Sequence, residues 1–288
     1  MRSVVWLLPV MLLFAAASCE LEPEYTPATV PERPAESKPV ANRFDAGACG
    51  RVTGRVTWPG ERPAPPEFLY GAPTPDGNFI LQMMPNPNAP AIDERTRGVG
   101  GAVVFLRGID PAAAKPWNLP PARIEMKERG IRIVQGNATG RAGFVRGGDA
   151  VEMRSAEPSF HVLRARGAAY FSLTFPKPDQ LLTRTFEALG RVELSSGAGY
   201  YWASADLFVV AHPYYTLTDA EGRFAFEQAP PGSFEVVVWL PGWDVVKQER
   251  DPESGLIARQ TYVKPMEATR AVKLAERGEV EAQLEMKR

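Results

Sequence analysis

The chain has 288 residues, with 33 basic and 34 acidic side chains and a formal net charge of −1. A chain of this length can bury one or two substantial cores, and its balanced charge gives no electrostatic footprint for nucleic-acid binding. The 28 prolines and 25 glycines favour an all-β protein with many turns over a helical one.

The first 18 residues predict a signal peptide. Arg2 is followed by an apolar run from Val4 to Phe14 and by the small residues at positions 15–18. This run is too short to cross a bilayer as a permanent anchor. We therefore expect the chain to be exported, to the periplasm or the cell envelope.

Cys19 directly follows these small residues, and the sequence Ala-Ala-Ser-Cys resembles a bacterial lipobox that lacks Leu at the third position before the cysteine. The resemblance implies cleavage before Cys19 and acylation of its thiol, which would hold the protein on a membrane. The alternative is ordinary secretion with an incidental Cys19. Acylation would exclude a disulfide with Cys49, the other cysteine of the chain.

Residues 19–47 predict a linker, because prolines recur among Glu, Ala, Thr and Ser with little apolar surface to bury. Fully extended, such a segment reaches on the order of 80 Å. That length suits a tether between a membrane and a folded domain, although the same composition is compatible with a plain disordered tail.

From Cys49 onwards, short apolar stretches alternate with turn residues, which predicts strands. Strand-like patterns occupy residues 52–58, 100–108, 124–134, 143–145, 150–153, 160–163, 170–175, 269–274 and 279–286. Residues 62–92 predict a long Pro-, Asn- and Gly-rich loop, and residues 247–255 predict a charged loop. Residues 179–189 are the segment in which we expect a helical turn.

The clearest strand pattern lies between residues 190 and 243. Three apolar strands are predicted at residues 207–211, 224–226 and 234–239. The turns between them are expected at residues 219–222 and 229–232, where Gly allows positive φ and Pro fixes φ.

Two parts of the chain resemble carboxypeptidase-regulatory-like β-sandwiches. Val52-Thr53-Gly54-Arg55-Val56-Thr57 is similar to the first strand of that family, and residues 218–226 and 230–238 are similar to its last strands. The shared motif is ordinary hairpin chemistry. The resemblance therefore implies a fold and no activity.

Residues 124–212 resemble plastocyanin-like cupredoxin domains, and most closely the methylamine-utilisation-type group, in which such a domain precedes an HPYY-x-x-TD stretch. Residues 148–153 resemble the strand before the first copper-binding histidine, and residues 159–162 resemble the site of that histidine, here His161. Residues 192–203 resemble the loop that carries the other copper ligands.

This ligand loop departs from the family pattern at each remaining ligand position. The Cys position falls on Ser196 or Gly197, the His position on Tyr200 and the Met position on Ala203. A blue-copper site needs two imidazoles and a thiolate. We therefore expect no metal and no cofactor, and we expect the phenol of Tyr200 to lie beside His161 and fill the space of the missing copper.

These patterns together predict an all-β protein. A cupredoxin-like Greek-key β-sandwich, residues 124–212, is expected to be inserted in or packed on a carboxypeptidase-regulatory-like (transthyretin-like) β-sandwich built from residues 48–123 and 213–288. The sequence favours a non-catalytic, lipid-anchored envelope protein whose degenerate domain serves binding or scaffolding, with an envelope protein or a polysaccharide as partner. A Ser–His pair of Ser195 or Ser196 with His161 is an enzymatic alternative, but no Gly-x-Ser-x-Gly motif supports it.

Two further alternatives concern ligands. The first is a copper or zinc site that uses His161 and His212 with help from carboxylates. Copper is expected as a cofactor only under this first alternative. The second is binding of carbohydrate or another small ligand to exposed rings, for which the candidates are Tyr200, Tyr201, Trp202, Tyr214 and Tyr215.

Overall fold

The computed structural model describes residues 42–73, 76, 78–158, 160–250, 252–253 and 257–287. The predicted signal peptide, Cys19 and most of the predicted linker lie outside these residues. No helix in the described part of the chain is long and apolar enough to span a membrane.

The described residues form 23 strands and one 3₁₀ helix, Pro111–Ala113. The strands are β1 (Gly50–Thr57), β2 (Phe68–Pro73), β3 (Phe79–Met84), β4 (Ala91–Ile92), β5 (Val99–Gly100), β6 (Val103–Arg107), β7 (Ala122–Lys127), β8 (Gly130–Gln135), β9 (Ala138–Gly140), β10 (Ala142–Arg146), β11 (Ala150–Ser155), β12 (His161–Gly167), β13 (Phe171–Phe175), β14 (Leu181–Thr185), β15 (Gly190–Ser196), β16 (Ser204–Val210), β17 (Tyr215–Leu217), β18 (Arg223–Ala229), β19 (Gly232–Leu240), β20 (Val245–Arg250), β21 (Ile257–Tyr262), β22 (Met266–Leu274) and β23 (Glu279–Glu285). The prediction of an all-β protein is confirmed.

Four sheets carry the fold. Sheet I has the order β18-β1-β23, sheet II β17-β6-β19-β22, sheet III β10-β16-β15-β12-β13 and sheet IV β14-β11-β7-β8-β9. Most neighbours are antiparallel, but β1 with β23, β10 with β16, and β7 with β11 are parallel. Such mixed pairing requires chain crossings between the two sheets of a sandwich, as in Greek-key folds.

Three apolar cores lie between these sheets. Val56 of sheet I and Val236 of sheet II belong to one core, and Ile124 of sheet IV and Leu194 of sheet III belong to a second. The third core joins sheet II to sheet III through Trp239 and Phe208, whose rings meet edge to face at 5.3 Å. The sheets therefore stack in the order I, II, III, IV, and strands β7–β16 build the sandwich of sheets III and IV.

The apolar runs in the sequence follow from this stacking. Side chains alternate between the two faces of a strand, so a strand of sheet II or III has one face in a sandwich core and the other in the junction core. In β16, Leu207 and Val209 face the sandwich core, while Phe208 and Val210 belong to the junction. The three strands predicted between residues 207 and 239 are confirmed as parts of β16, β18 and β19.

The turn predicted at residues 219–222 is also confirmed, since the amide of Gly222 donates to the carbonyl of Asp219 at 3.0 Å. Gly222 has a φ of +82°, which only glycine adopts easily. One carboxylate oxygen of Asp219 accepts from the amides of Glu221 and Arg223.

Three local predictions were wrong. Residues 179–189 contain strand β14 in place of a helical turn, and β14 pairs antiparallel with the edge of β11. Residues 62–92 contain the hairpin β2–β3, formed where two apolar runs interrupt the Pro-rich segment. Residues 247–255 overlap hairpin β20–β21, whose charged side chains occupy its exposed face. Exposed strands carry a weaker apolar signal than buried ones, which explains the errors at β14 and at hairpin β20–β21. At β2–β3 the surrounding Pro, Asn and Gly residues outweighed the apolar runs.

Candidate functional site

The residues at the degenerate copper-ligand positions lie around one small pocket. His161, Ser196, Tyr200 and Ala203 line it, and the space between them does not admit a water-sized sphere. His161 begins β12, Ser196 ends β15, and Ala203 directly precedes β16, so pairing of these three strands in sheet III brings the residues together.

The imidazole of His161 is buried and engaged. Its Nε2 atom lies 2.9 Å from Oε2 of Glu157, with 4% and 17% of the two side chains exposed. The other carboxylate oxygen of Glu157 accepts from the amide of Arg129 at 2.8 Å. Glu157 thus engages one of the two ring nitrogens of His161. Sequence reasoning had missed this partner, although it lies only four residues before the histidine.

The predicted contact between His161 and Tyr200 is observed. Their ring centroids are 5.6 Å apart with an interplanar angle of 45°. Tyr200 also packs against Trp202, at 5.5 Å between centroids. The Tyr200 ring therefore packs beside the imidazole of His161, at the position where the resemblance to cupredoxin domains implies a second copper-binding histidine.

Of the two candidates for the cysteine position, the structure favours Ser196. Its hydroxyl accepts from the amide of Ala198 at 3.1 Å and lines the pocket of His161. Gly197 does not line this pocket, and a Cβ atom there would lie 2.7 Å from Arg164 and 2.7 Å from Val162. Ser195 faces a different cavity, so it does not join His161 as a Ser–His pair.

Metal ligation by both histidines finds no support in the geometry. His212 lines another cavity, beside Phe105 and Tyr215, while His161 lines the small pocket. Burial lowers the pKa of His212, whose ring packs between Tyr214 and Tyr215. In the part of the chain that the structure describes, no cluster of three or more His, Cys, Asp or Glu side chains could hold a metal ion.

The predicted aromatic surface is only partly present. Tyr214 is completely buried and so was wrongly included among the exposed rings. Tyr215 is stacked on Phe105 in the junction core, with centroids 4.9 Å apart and planes 4° from parallel. Tyr200 and Tyr201, by contrast, line a cleft that sequence reasoning did not anticipate.

This cleft, called the junction cleft below, lies beside the contact between sheets II and III. Its volume is about 340 Å³. Strands β12, β15 and β16 supply one wall, the end of β19 supplies another, and β21 with the residues after it supplies a third. The charged and aromatic side chains that line it are Arg164, Arg166, Arg191, Glu193, Tyr200, Tyr201, Asp206, Trp239, Arg259, Tyr262 and Lys264.

A buried polar cluster closes the inner end of the cleft. Asp206 pairs with Arg191 at 2.9 Å, and the guanidinium of Arg191 lies 5.2 Å from the centre of the Trp239 ring. Burial raises the pKa of Asp206 to about 6, although Arg191 and Arg141 act in the opposite direction. Arg141 donates to the carbonyl of Ser204 and to the side chain of Asn88, both at 2.8 Å.

These sheets define an all-β protein of stacked β-sandwiches. No protein-family model and no curated protein matches the chain. Among solved structures it is similar to a methionine-to-alanine mutant of amicyanin in the Cu(I) form, with 15% identity and a TM-score of 0.25 over 37% of this chain and 98% of amicyanin. A reduced Cu(I) form of a proline-to-glycine mutant of amicyanin matches with 14% identity, the same coverage and a TM-score of 0.25.

The all-β assignment rests on the strands and sheets themselves, and the similarity to amicyanin covers little more than a third of the chain. The carboxypeptidase-regulatory-like resemblance of residues 48–123 and 213–288 stays a prediction, as do the domain boundaries drawn from the sequence.

Proposed function

We propose that this chain is a non-catalytic envelope protein, exported and lipid-anchored at Cys19, whose cupredoxin-like sandwich serves binding or scaffolding without copper. The observation that carries the proposal is the filled pocket at the degenerate ligand positions. His161 is held by Glu157, the Tyr200 ring packs beside it, and no space for a water-sized sphere remains.

The chemistry of these residues supports the same proposal. A blue-copper centre depends on a thiolate, and Ser196 offers only a hydroxyl that already accepts from the amide of Ala198. Glu157 engages Nε2 of His161, which excludes a metal from that one nitrogen of the ring. The export and lipid-anchor parts rest on the apolar run of residues 4–14 and on Cys19 alone.

Metal loading tests the proposal. The full chain is incubated with Cu(II) or Zn(II), desalted and assayed for bound metal, and an absorption spectrum is recorded. We expect less than stoichiometric metal and no thiolate-to-copper band. One tightly bound metal ion per chain would contradict the metal-free function.

A restoration variant tests the assignment of the ligand positions. Ser196→Cys with Tyr200→His and Ala203→Met should bind one copper ion and develop an intense thiolate-to-copper band, because it supplies the missing ligands around His161. The matched control, Tyr200→His with Ala203→Met, lacks the thiolate and should lack the band. A restoration variant that folds but shows no such band would contradict the assignment.

A further inference from the structure

The junction cleft has an excess of positive charge that the proposed scaffold does not use. Five cationic side chains line it, namely Arg164, Arg166, Arg191, Arg259 and Lys264, against two carboxylates, Glu193 and Asp206. Arg191 is paired with both carboxylates at 2.9 Å, and Arg259 lies 4.0 Å from Glu249 of β20. The remaining cations, Arg164, Arg166 and Lys264, give the cleft its excess of positive charge.

Two of these cations, Arg164 and Lys264, are placed where they could bind a ligand. Arg164 and Lys264 are exposed, and among the described residues neither has a carboxylate within ion-pair distance. An unpaired guanidinium can hold a carboxylate through two parallel hydrogen bonds, and an ammonium adds a point charge. The cleft therefore favours a ligand with a negative charge.

A buried amide supplies a second, independent sign of a missing partner. Gln260 is 9% exposed and lines the cleft, and its Nε2 atom has no hydrogen-bond partner in the described part of the chain. Its Oε1 atom accepts from the hydroxyl of Tyr262 at 3.1 Å. A buried donor without an acceptor is costly, so a ligand oxygen at this point would remove the cost.

The carboxylates and hydroxyls of the cleft narrow the class of ligand. Glu193 and Asp206 would repel a phosphate dianion, but they can accept hydrogen bonds from ligand hydroxyl groups. Ser195, Ser204 and Thr261 also line the cleft and can serve the same groups. A ligand with several hydroxyls and one negative charge matches this set of partners.

Aromatic rings and size complete the match. Tyr200, Tyr201 and Tyr262 line the cleft, and rings of this kind pack against the C–H faces of sugars. The volume of about 340 Å³ lies at the lower end of the range for small-molecule sites. A cleft of this volume can hold one or two sugar rings.

The larger groove over β1 and β18, about 740 Å³, lacks these features. Its arginines are already engaged: Arg51 pairs with Glu227 and Glu279, Arg223 pairs with Glu221, and Arg55 donates to two backbone carbonyls. It offers little unpaired charge to a ligand.

We propose that the junction cleft binds a uronate unit, a sugar ring that carries a carboxylate, with Arg164 and Lys264 on the carboxylate and the Gln260 amide on a ligand oxygen. This inference rests on the proposed binding function. It is nevertheless tested separately, because sugar binding is measured without added metal, and failure of sugar binding would leave the metal result intact.

Calorimetric titration of the full chain with digalacturonate and with a glucuronate-containing disaccharide tests the ligand class. Galactobiose and cellobiose serve as neutral sugars, and sulfate serves as a simple anion. We expect one of the acidic disaccharides to bind at least tenfold more tightly than every neutral sugar and than sulfate. Absence of binding by both acidic probes, or equal binding of a neutral sugar or of sulfate, would overturn the proposal.

Three variants locate the site. Lys264→Gln should weaken binding of the acidic disaccharide at least fivefold, whereas Lys273→Gln, the same change on exposed β22 outside the cleft, should leave it unchanged. Gln260→Leu should also weaken binding, because it removes the amide that donates to the ligand oxygen. Equal effects of Lys264→Gln and Lys273→Gln would place the ligand elsewhere and overturn the assignment.

Discussion

The carboxyl group of Asp206 is largely buried where sheets II and III meet. Its side chain is 13% exposed and lies 2.9 Å from Arg191. Burial raises its pKa from 3.8 to about 6, with the arginines acting in the opposite direction. The folded protein therefore holds a proton on Asp206 at a pH where the unfolded chain has released it.

The sign of the resulting pH dependence is fixed. A raised carboxyl pKa stabilises the folded state fully below about pH 4, and this contribution is lost as the pH rises to about 6. Two pKa units correspond to at most about 3 kcal/mol. We expect the free energy of unfolding of the wild type, relative to Asp206→Asn, to fall by up to this amount between about pH 4 and pH 7 in urea titrations.

The control for this titration is Glu276→Gln, on the exposed turn before β23. Relative to that variant, the wild type should show no comparable fall over the same range of pH. If the difference between wild type and Asp206→Asn stays flat with pH, the pKa of Asp206 does not differ between the folded and unfolded states and the argument fails.

Tyr214 is a buried phenol with two backbone partners. Its hydroxyl donates to the carbonyl of Gln228 at 2.6 Å and accepts from the amide of Lys115 at 3.0 Å. Tyr214→Phe leaves both groups without their partner, so we expect a loss of about 1–3 kcal/mol in the free energy of unfolding. Chemical denaturation measures this loss. Tyr170→Phe, on a ring 83% exposed, should cost almost nothing, and equal costs would refute the argument.

Among the elements, the turn between β17 and β18 depends on a close approach of two backbones. A Cβ atom on Gly98 would lie 1.9 Å from the carbonyl oxygen of Glu221, and the amide of Val56 donates to Gly222 at 2.8 Å in the same region. Gly98→Ala should therefore push this turn away from β1, at a cost of about 1–3 kcal/mol or more. Thermal unfolding checks the value.

Gly140→Ala is the matched control, because a Cβ atom there meets nothing within 4 Å. It should leave the melting temperature unchanged or slightly higher. A Gly98→Ala variant as stable as Gly140→Ala would show that the turn can shift at little cost.

Among the elements that the sequence predicted well, β19 is buried on both faces. Residues 236–239 form a continuous apolar run because β19 lies between two cores: Val236 and Val238 belong to one core and Trp239 to the other. Such a run identifies a central strand. Hairpin β20–β21 was missed because Lys247, Glu249 and its other exposed side chains match the pattern of a loop. Pairing partners of exposed strands are set by tertiary structure and leave little trace in the local sequence.

At the scale of the whole molecule, the two candidate sites differ in how far the sequence could predict them. The pocket of His161 was located because its residues occupy positions of a recognisable strand-and-loop pattern. The junction cleft joins Arg164, Asp206, Gln260 and Lys264 from separate strands and a connecting segment. Only the packing of sheet III beside sheet II and hairpin β20–β21 brings them together, and no motif records that packing.

The stacked arrangement predicts that both sandwiches unfold together. Phe208 belongs to the junction core, where it meets Trp239 at 5.3 Å and Phe144 at 6.0 Å between ring centroids. Phe208→Ala removes this ring at a cost of about 3–5 kcal/mol. In scanning calorimetry we expect one transition for the wild type and two for Phe208→Ala, because the remaining junction contacts no longer couple the sandwiches.

Leu194→Ala is the control, since Leu194 is completely buried in the core between sheets III and IV and lies outside the junction core. It removes comparable apolar contact but leaves the junction in place. The variant should melt at a lower temperature and still in a single transition, because the weakened sandwich remains coupled to its neighbour. Two transitions in the wild type, or a single one in Phe208→Ala, would mean that the junction core does not set the cooperativity of the fold.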